Sequence, residues 1–167
     1  MIDFDYSENM ASGVVGAIVN TEPNTLVSYN VETVDGIGFG LPVSQGAADR
    51  SCKAMASGDT EVIGFTVADR TTAPSDDNPD TFLQHDSARV MRKGVIWVTV
   101  DDSGGVVPGD EVWVALANGQ LSNADLGSGG SLQLQGCRWE TSAGDGELAQ
   151  LRVNLDVPAV AGAPEVT

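Results

Sequence analysis

Several residue groups in this 167-residue chain have types that do chemistry in other proteins. His85, Asp86 and Ser87 stand in a row, but a nucleophilic triad needs these types to converge in space. Neighbours along an extended chain point to opposite sides, so the row reads as accidental. The stretch 71–80, TTAPSDDNPD, gathers Asp76, Asp77, Asn78 and Asp80, oxygen donors of the kind calcium takes. It lacks the alternating acidic positions, central Gly and distal Glu of a calcium loop, and reads as a solvated acidic loop. Gly36-x-Gly38-x-Gly40 suggests a phosphate cradle, yet Leu41-Pro42 follows where a helix N-terminus is required. A glycine-punctuated strand or bulge is the reading. Cys52 and Cys137 match no metal or redox spacing and read as free, buried thiols. With 24 Asp and Glu, some pair always falls at hydrolytic spacing, but a sugar groove also wants stacking aromatics. Phe, Trp and Tyr together number only nine. The chain reads as a non-enzyme, with no metal and no cofactor.

What remains are aromatic side chains placed for contact: Trp97, Trp113, Phe4 and Tyr6. The tryptophans sit in the stretch that organises the chain, residues 91–116. In 95–100, Ile96, Val98 and Val100 share one side; in 111–116, Val112, Val114 and Leu116 do. Period-two alternation marks strands with one buried face. The connection DDSGGVVPGD is turn chemistry, so the two strands are expected as neighbours in an antiparallel sheet. Trp97 and Trp113 then lie on the opposite face. That face is a second core layer or an intersubunit contact, since Trp is enriched at interface hot spots.

Around this centre, 26–31 reads as the first body strand. Residues 50–56 and 61–68 read as a hairpin turned at Ser57-Gly58-Asp59-Thr60, with Ile63, Phe65 and Val67 buried; a short helix over 45–55 is the alternative. Asn118-Gly119 marks another hairpin. Leu132 and Leu134 alternate with Gln133 and Gln135. Residues 137–142 and 148–157 form a last hairpin closed by Gly144-Asp145-Gly146, with Ala149, Leu151, Val153, Leu155 and Val157 on one side. No segment shows sustained helical periodicity. The expectation is an all-β fold, a small barrel or sandwich of short antiparallel strands. It divides into an extended arm, 1–24, a body, 25–157, and a loose tail, 158–167. In the arm, Phe4 and Tyr6 alternate with Asp3 and Asp5 and suggest a grip rather than a frayed end.

Charge narrows the partners. Eight Lys and Arg against 24 acids give a net charge of −16. Such a surface repels phosphate backbones and anionic membranes, so neither nucleic acid nor membrane is expected. The acidic N-terminus has no basic leader region, and the apolar run 14–19 is too short to span a bilayer.

The order of motifs resembles the head decoration, or cement, proteins of tailed bacteriophages. The resemblance rests on the acidic arm, IGFTV at 63–67, KGVIWVTV at 93–100, VPGDEVWV at 107–114, and CRW at 137–139 before LAQL at 148–151. It implies a structural protein on the outer surface of a virion, made in the host cytoplasm. Its implied partners are the major capsid protein and itself, as a homotrimer, with the arm reaching into the coat lattice or a neighbouring protomer. The outward tryptophans leave a second reading, a carbohydrate- or receptor-binding β-module.

Overall fold

The computed structural model describes residues 13–69, 77 and 79–162. Among these there are strands and turns but no helix. The strands are β1 (Thr25–Val31), β2 (Ile37–Gly38), β3 (Pro42–Gln45), β4 (Ser51–Ala54), β5 (Gly64–Thr66) and β6 (Thr81–Phe82). They continue with β7 (Ser87–Thr99), β8 (Trp113–Ala115), β9 (Leu121–Ser122), β10 (Ser131–Gln133), β11 (Arg138–Trp139), β12 (Leu148–Asn154) and β13 (Val160–Ala161). In the order β1-β4-β3-β5-β7, with β1 also paired to β7, five strands close into a barrel. Beyond the ring, the C-terminal half of β7 carries β12 and then β11. A second sheet, β13-β10-β8-β9, and a ribbon, β2-β6, complete the fold. The all-β expectation holds in both of its forms, because the molecule is a barrel fused to a sandwich.

β7 makes the fusion possible. Ala88 and Val90 belong to the ring's core with Val31, Val43, Cys52, Ile37 and Phe82. Met91, Ile96 and Val98 belong to the sandwich core with Leu151, Val153, Val114 and Leu132. Strict alternation cannot send 90 and 91 to two cores and still keep 91, 96 and 98 on one side. The β1–β7 register shows the device: Leu26 faces Met91 and Thr25 faces Lys93, leaving Arg92 unopposed. This one-residue bulge shifts the phase of every side chain beyond it. Gly94 follows at φ 138, where L-residues are strained.

Four expectations are corrected here. Residues 95–100 and 111–116 are not sheet neighbours: β7 pairs with β12, and β8 with β9 and β10. Their predicted faces are nevertheless right, since Ile96, Val98, Val100, Val112 and Val114 are fully buried and meet within one core. Alternation says that a face is buried, not which strand lies beside it. Residues 50–56 and 61–68 do not form a hairpin either, because β3 lies between β4 and β5. The turn at 57–60 is real. Asp59 takes the Ala56 N–H at 2.8 Å, the Ser44 hydroxyl at 2.9 Å and the Lys53 ammonium at 2.7 Å. It steers the chain past β3 to the next slot. The strand expected over 148–157 stops at Asn154, and Val157 is exposed. Finally, part of the expected loose tail is sheet: Val160 and Ala161 face Gln133 and Leu132 as β13. Pro158 hides that strand in the sequence, since a proline beside so short a run reads as a break.

Other readings stand. The glycine triplet is a punctuated strand: β2 pairs with β6, flanked by Gly36 at φ 79 and Gly40 at φ 71. The Asn118-Gly119 hairpin joins β8 to β9, and β11 pairs with β12 as the last hairpin. A Cβ at Gly94 would sit 2.9 Å from Asn24 Cβ and 3.1 Å from Met91 Sδ. Gly94→Ala is therefore expected to destabilise the fold by about 1–3 kcal/mol. A lower urea midpoint with an unchanged slope would show this.

Candidate functional site

The residues that could have done covalent chemistry are occupied structurally. His85 is exposed at φ 72, in a turn where Asp86 Oδ2 accepts the Leu83 N–H at 2.8 Å and the His85 N–H donates to Val31 O at 2.8 Å. Cys52 lies in the ring core and Cys137 in the sandwich core, both free. Burial pushes each thiol up to about 11, so neither is a thiolate near neutral pH. Among the described residues no group of three or more His, Cys, Asp or Glu is placed to hold a metal. Most of the acidic stretch 71–80 lies outside the described residues, as do Phe4 and Tyr6.

The two tryptophans do not come together. Trp97 is on β7, opposite Gln150 of β12, while Trp113 is on β8 in the second sheet, opposite Gln133 and Ser122. Both are half-buried. Trp113 donates its indole N–H to Glu111 Oε2 at 3.2 Å. Trp97 is covered from within the chain, since any side chain at residue 13 would collide with its indole ring. The third tryptophan, Trp139, is buried in the sandwich core.

Residues 13–22 form a strap that sequence reasoning did not find. Ile18 bridges Ile96 in antiparallel sense. Gly16 N–H donates to Trp97 O at 2.7 Å, Trp97 N–H to Ala17 O at 3.0 Å, and Val19 N–H to Val95 O at 3.0 Å. The strap thus extends the β1 edge of β7, opposite β12, and Gly16 O also takes the Ala68 N–H at 2.8 Å. Ile18 packs against the sandwich core. The strap is tied down at Arg152 on β12, whose Nη1 lies 2.8 Å from Glu22 Oε2 and whose Nε lies 2.5 Å from Glu140 Oε1. The apolar run 14–19 was the only signal for it. Its anchor, Arg152, is 130 residues from Glu22 and leaves no local trace.

This architecture has known relatives. A family model of structural cement proteins (E217 gp24/Pam3 gp6) matches residues 2–154. The chain belongs to the phage structural cement proteins. A chain from the capsid of Myoviridae Phage XM1 superposes on this cement protein with a TM-score of 0.72 at 16% identity, over 92% of this chain and 97% of that one. At that identity the likeness is one of fold. The N base of head fiber gp8.5 in bacteriophage phi29 matches with a TM-score of 0.43 and 13% identity, over 78% of this chain and 95% of that one. No curated protein matches.

The cement protein's strap has a pH-sensitive end. The hydrogen bond from Arg152 holds the Glu22 carboxyl below its usual value of 4.5. A lowered pKa stabilises the docked state above the free value, and this is lost as pH falls through the docked one. Glu22→Gln should therefore speed amide exchange at Gly16, Trp97 and Val19 at neutral pH. The difference from wild type should narrow as pH falls from 4.5 through the lower docked value, where wild-type Glu22 is itself protonated. Hydrogen exchange read by NMR measures both.

Proposed function

We propose that this cement protein binds the outer surface of a tailed-phage head and ties neighbouring major capsid subunits together, non-catalytically and as a homotrimer. The observation that carries the reading is the family match, which spans nearly the whole chain. The physical features agree with it. A net charge of −16 suits the outside of a shell better than a DNA-filled interior. Residues 1–12, with Phe4 and Tyr6 among Asp3, Asp5 and Glu8, are the proposed grip on the coat. Trp113 remains a candidate contact on the second sheet.

The carbohydrate-binding alternative is weaker. Trp97 would have to shed its own strap before a sugar ring could stack on it.

Fixing a chain segment on a partner costs about 1–2 kcal/mol of backbone entropy per residue, so a grip by residues 1–12 needs broad apolar contact. Removing residues 1–12 should leave a folded body that co-sediments poorly with undecorated, expanded capsids. Removing residues 1–22 also strips the strap, so that variant should show lowered thermal stability as well. Equal shell occupancy by the 1–12 deletion and the full-length chain would place the contact on the β-body instead.

A further inference from the structure

Charge is segregated by element in this protein. None of the strands among the described residues contains Asp or Glu, and the charged residues that strands do contain are all cations: Lys53, Arg89, Arg92, Lys93, Arg138 and Arg152. The acids sit in the turns, where Asp59, Asp86, Asp102 and Asp110 each accept a backbone N–H. Most of the strand cations lie on β7, β11 and β12.

On the face of β7–β12–β11 turned away from the sandwich core, three of them are neighbours. Arg138 faces Arg152 across β11–β12, and Arg152 faces Val95 across β12–β7. Lys93 faces Asn154, one diagonal step from Arg152. Like charges directly opposite in a sheet repel, and the partners of the two arginines offset this. Arg152 is held by Glu22 and Glu140, and Arg138 turns its Nη1 to the carbonyls of Gln135 and Cys137. Lys93 makes no ion pair among the described residues. Beside them runs a groove of 530 Å³ whose charged lining residues are Lys93 and Arg152, with Glu22 on Arg152.

We propose that this cationic sheet face is the surface through which the protein docks on the coat, against a strip of the major capsid protein that presents carboxylates. The proposal rests on the capsid-binding reading above and adds the face and the partner's chemistry to it. A chain of net charge −16 approaches an acidic partner with least repulsion where cations outnumber acids, and here Lys93, Arg138 and Arg152 stand against Glu22 and Glu140, with Lys93 in no ion pair among the described residues. A carboxylate from the coat pairs Lys93, the cation of this face that Glu22 and Glu140 leave without a partner.

The test is co-sedimentation of the full chain with undecorated, expanded capsids at about 50 mM and about 300 mM salt, which shortens the screening length from about 14 Å to about 6 Å. Wild type should bind more weakly at the higher salt. K93E/R138E should bind at least about tenfold more weakly than wild type at the lower salt. D35N/D49N/D145N, which removes exposed turn acids, should bind at least as well as wild type. Because Arg138 also braces its own turn, Lys93→Glu alone serves as a second variant. It changes one exposed side chain and should still lose several-fold. Binding by K93E and K93E/R138E equal to wild type, or wild-type binding indifferent to salt, overturns the proposal. So does light scattering in which K93E dissolves a self-assembled oligomer while shell binding persists, since the occupant is then a second copy. Tight binding of wild type to duplex DNA, abolished by K93E with shell binding intact, overturns it in favour of nucleic acid. If wild type fails to bind shells under every condition, the capsid-binding reading itself has failed, an outcome distinct from a charge-insensitive interaction.

Discussion

Everything in this fold depends on both edges of β7 being taken along its length. Its N-terminal half lies between β1 and β5 and closes the barrel. Its C-terminal half lies between β12 and the strap and founds the sandwich. One thirteen-residue strand can serve two cores only if its phase changes between them, and the bulge at Arg92 supplies that change. Without it, Ile96 and Val98 would turn away from the sandwich and Trp97 into it. The requirement for Gly94 follows, because the chain at Asn24 packs against the backbone just past the bulge.

The parts of this structure that were legible in the sequence are the local ones. Alternation found the buried faces of β7, β10 and β12, and turn chemistry found the β8–β9 and β11–β12 hairpins. Pairing was not legible, because it is set by contacts between residues far apart in the chain. Residues 95–100 and 111–116 have the same pattern whether they lie side by side or face one another across a core. The bulge escaped as well: Arg92-Lys93 reads as two surface cations, although their adjacency is itself the break in alternation. The strap failed as a prediction for a different reason. Gly13, Gly16 and Ala17 bind through backbone atoms and through the absence of side chains, which hydrophobic patterning cannot register. Family resemblance reached further than pattern because it carries the topology with it.

The tryptophans show how a side chain suited to contact can be used inside a subunit. Trp97 alternates with Ile96 and Val98 as an outward residue should, and its ring is then roofed by glycine backbone from the same chain. Trp113 is tied to Glu111 on the other sheet. Charged residues, rather than aromatic ones, mark the face of β7–β12–β11 that the strap leaves open.

The anchor of the strap has a consequence for biosynthesis. Glu22 leaves the ribosome early, but Arg152, which holds it, follows 130 residues later. The barrel can close once β7 has emerged, whereas the strap cannot latch until β12 is made. A truncated translation product that lacks β12 therefore keeps an unlatched amino terminus and an open edge on β7, the form most exposed to proteases and to off-pathway strand pairing. Latching is in this sense a mark that synthesis has passed β12.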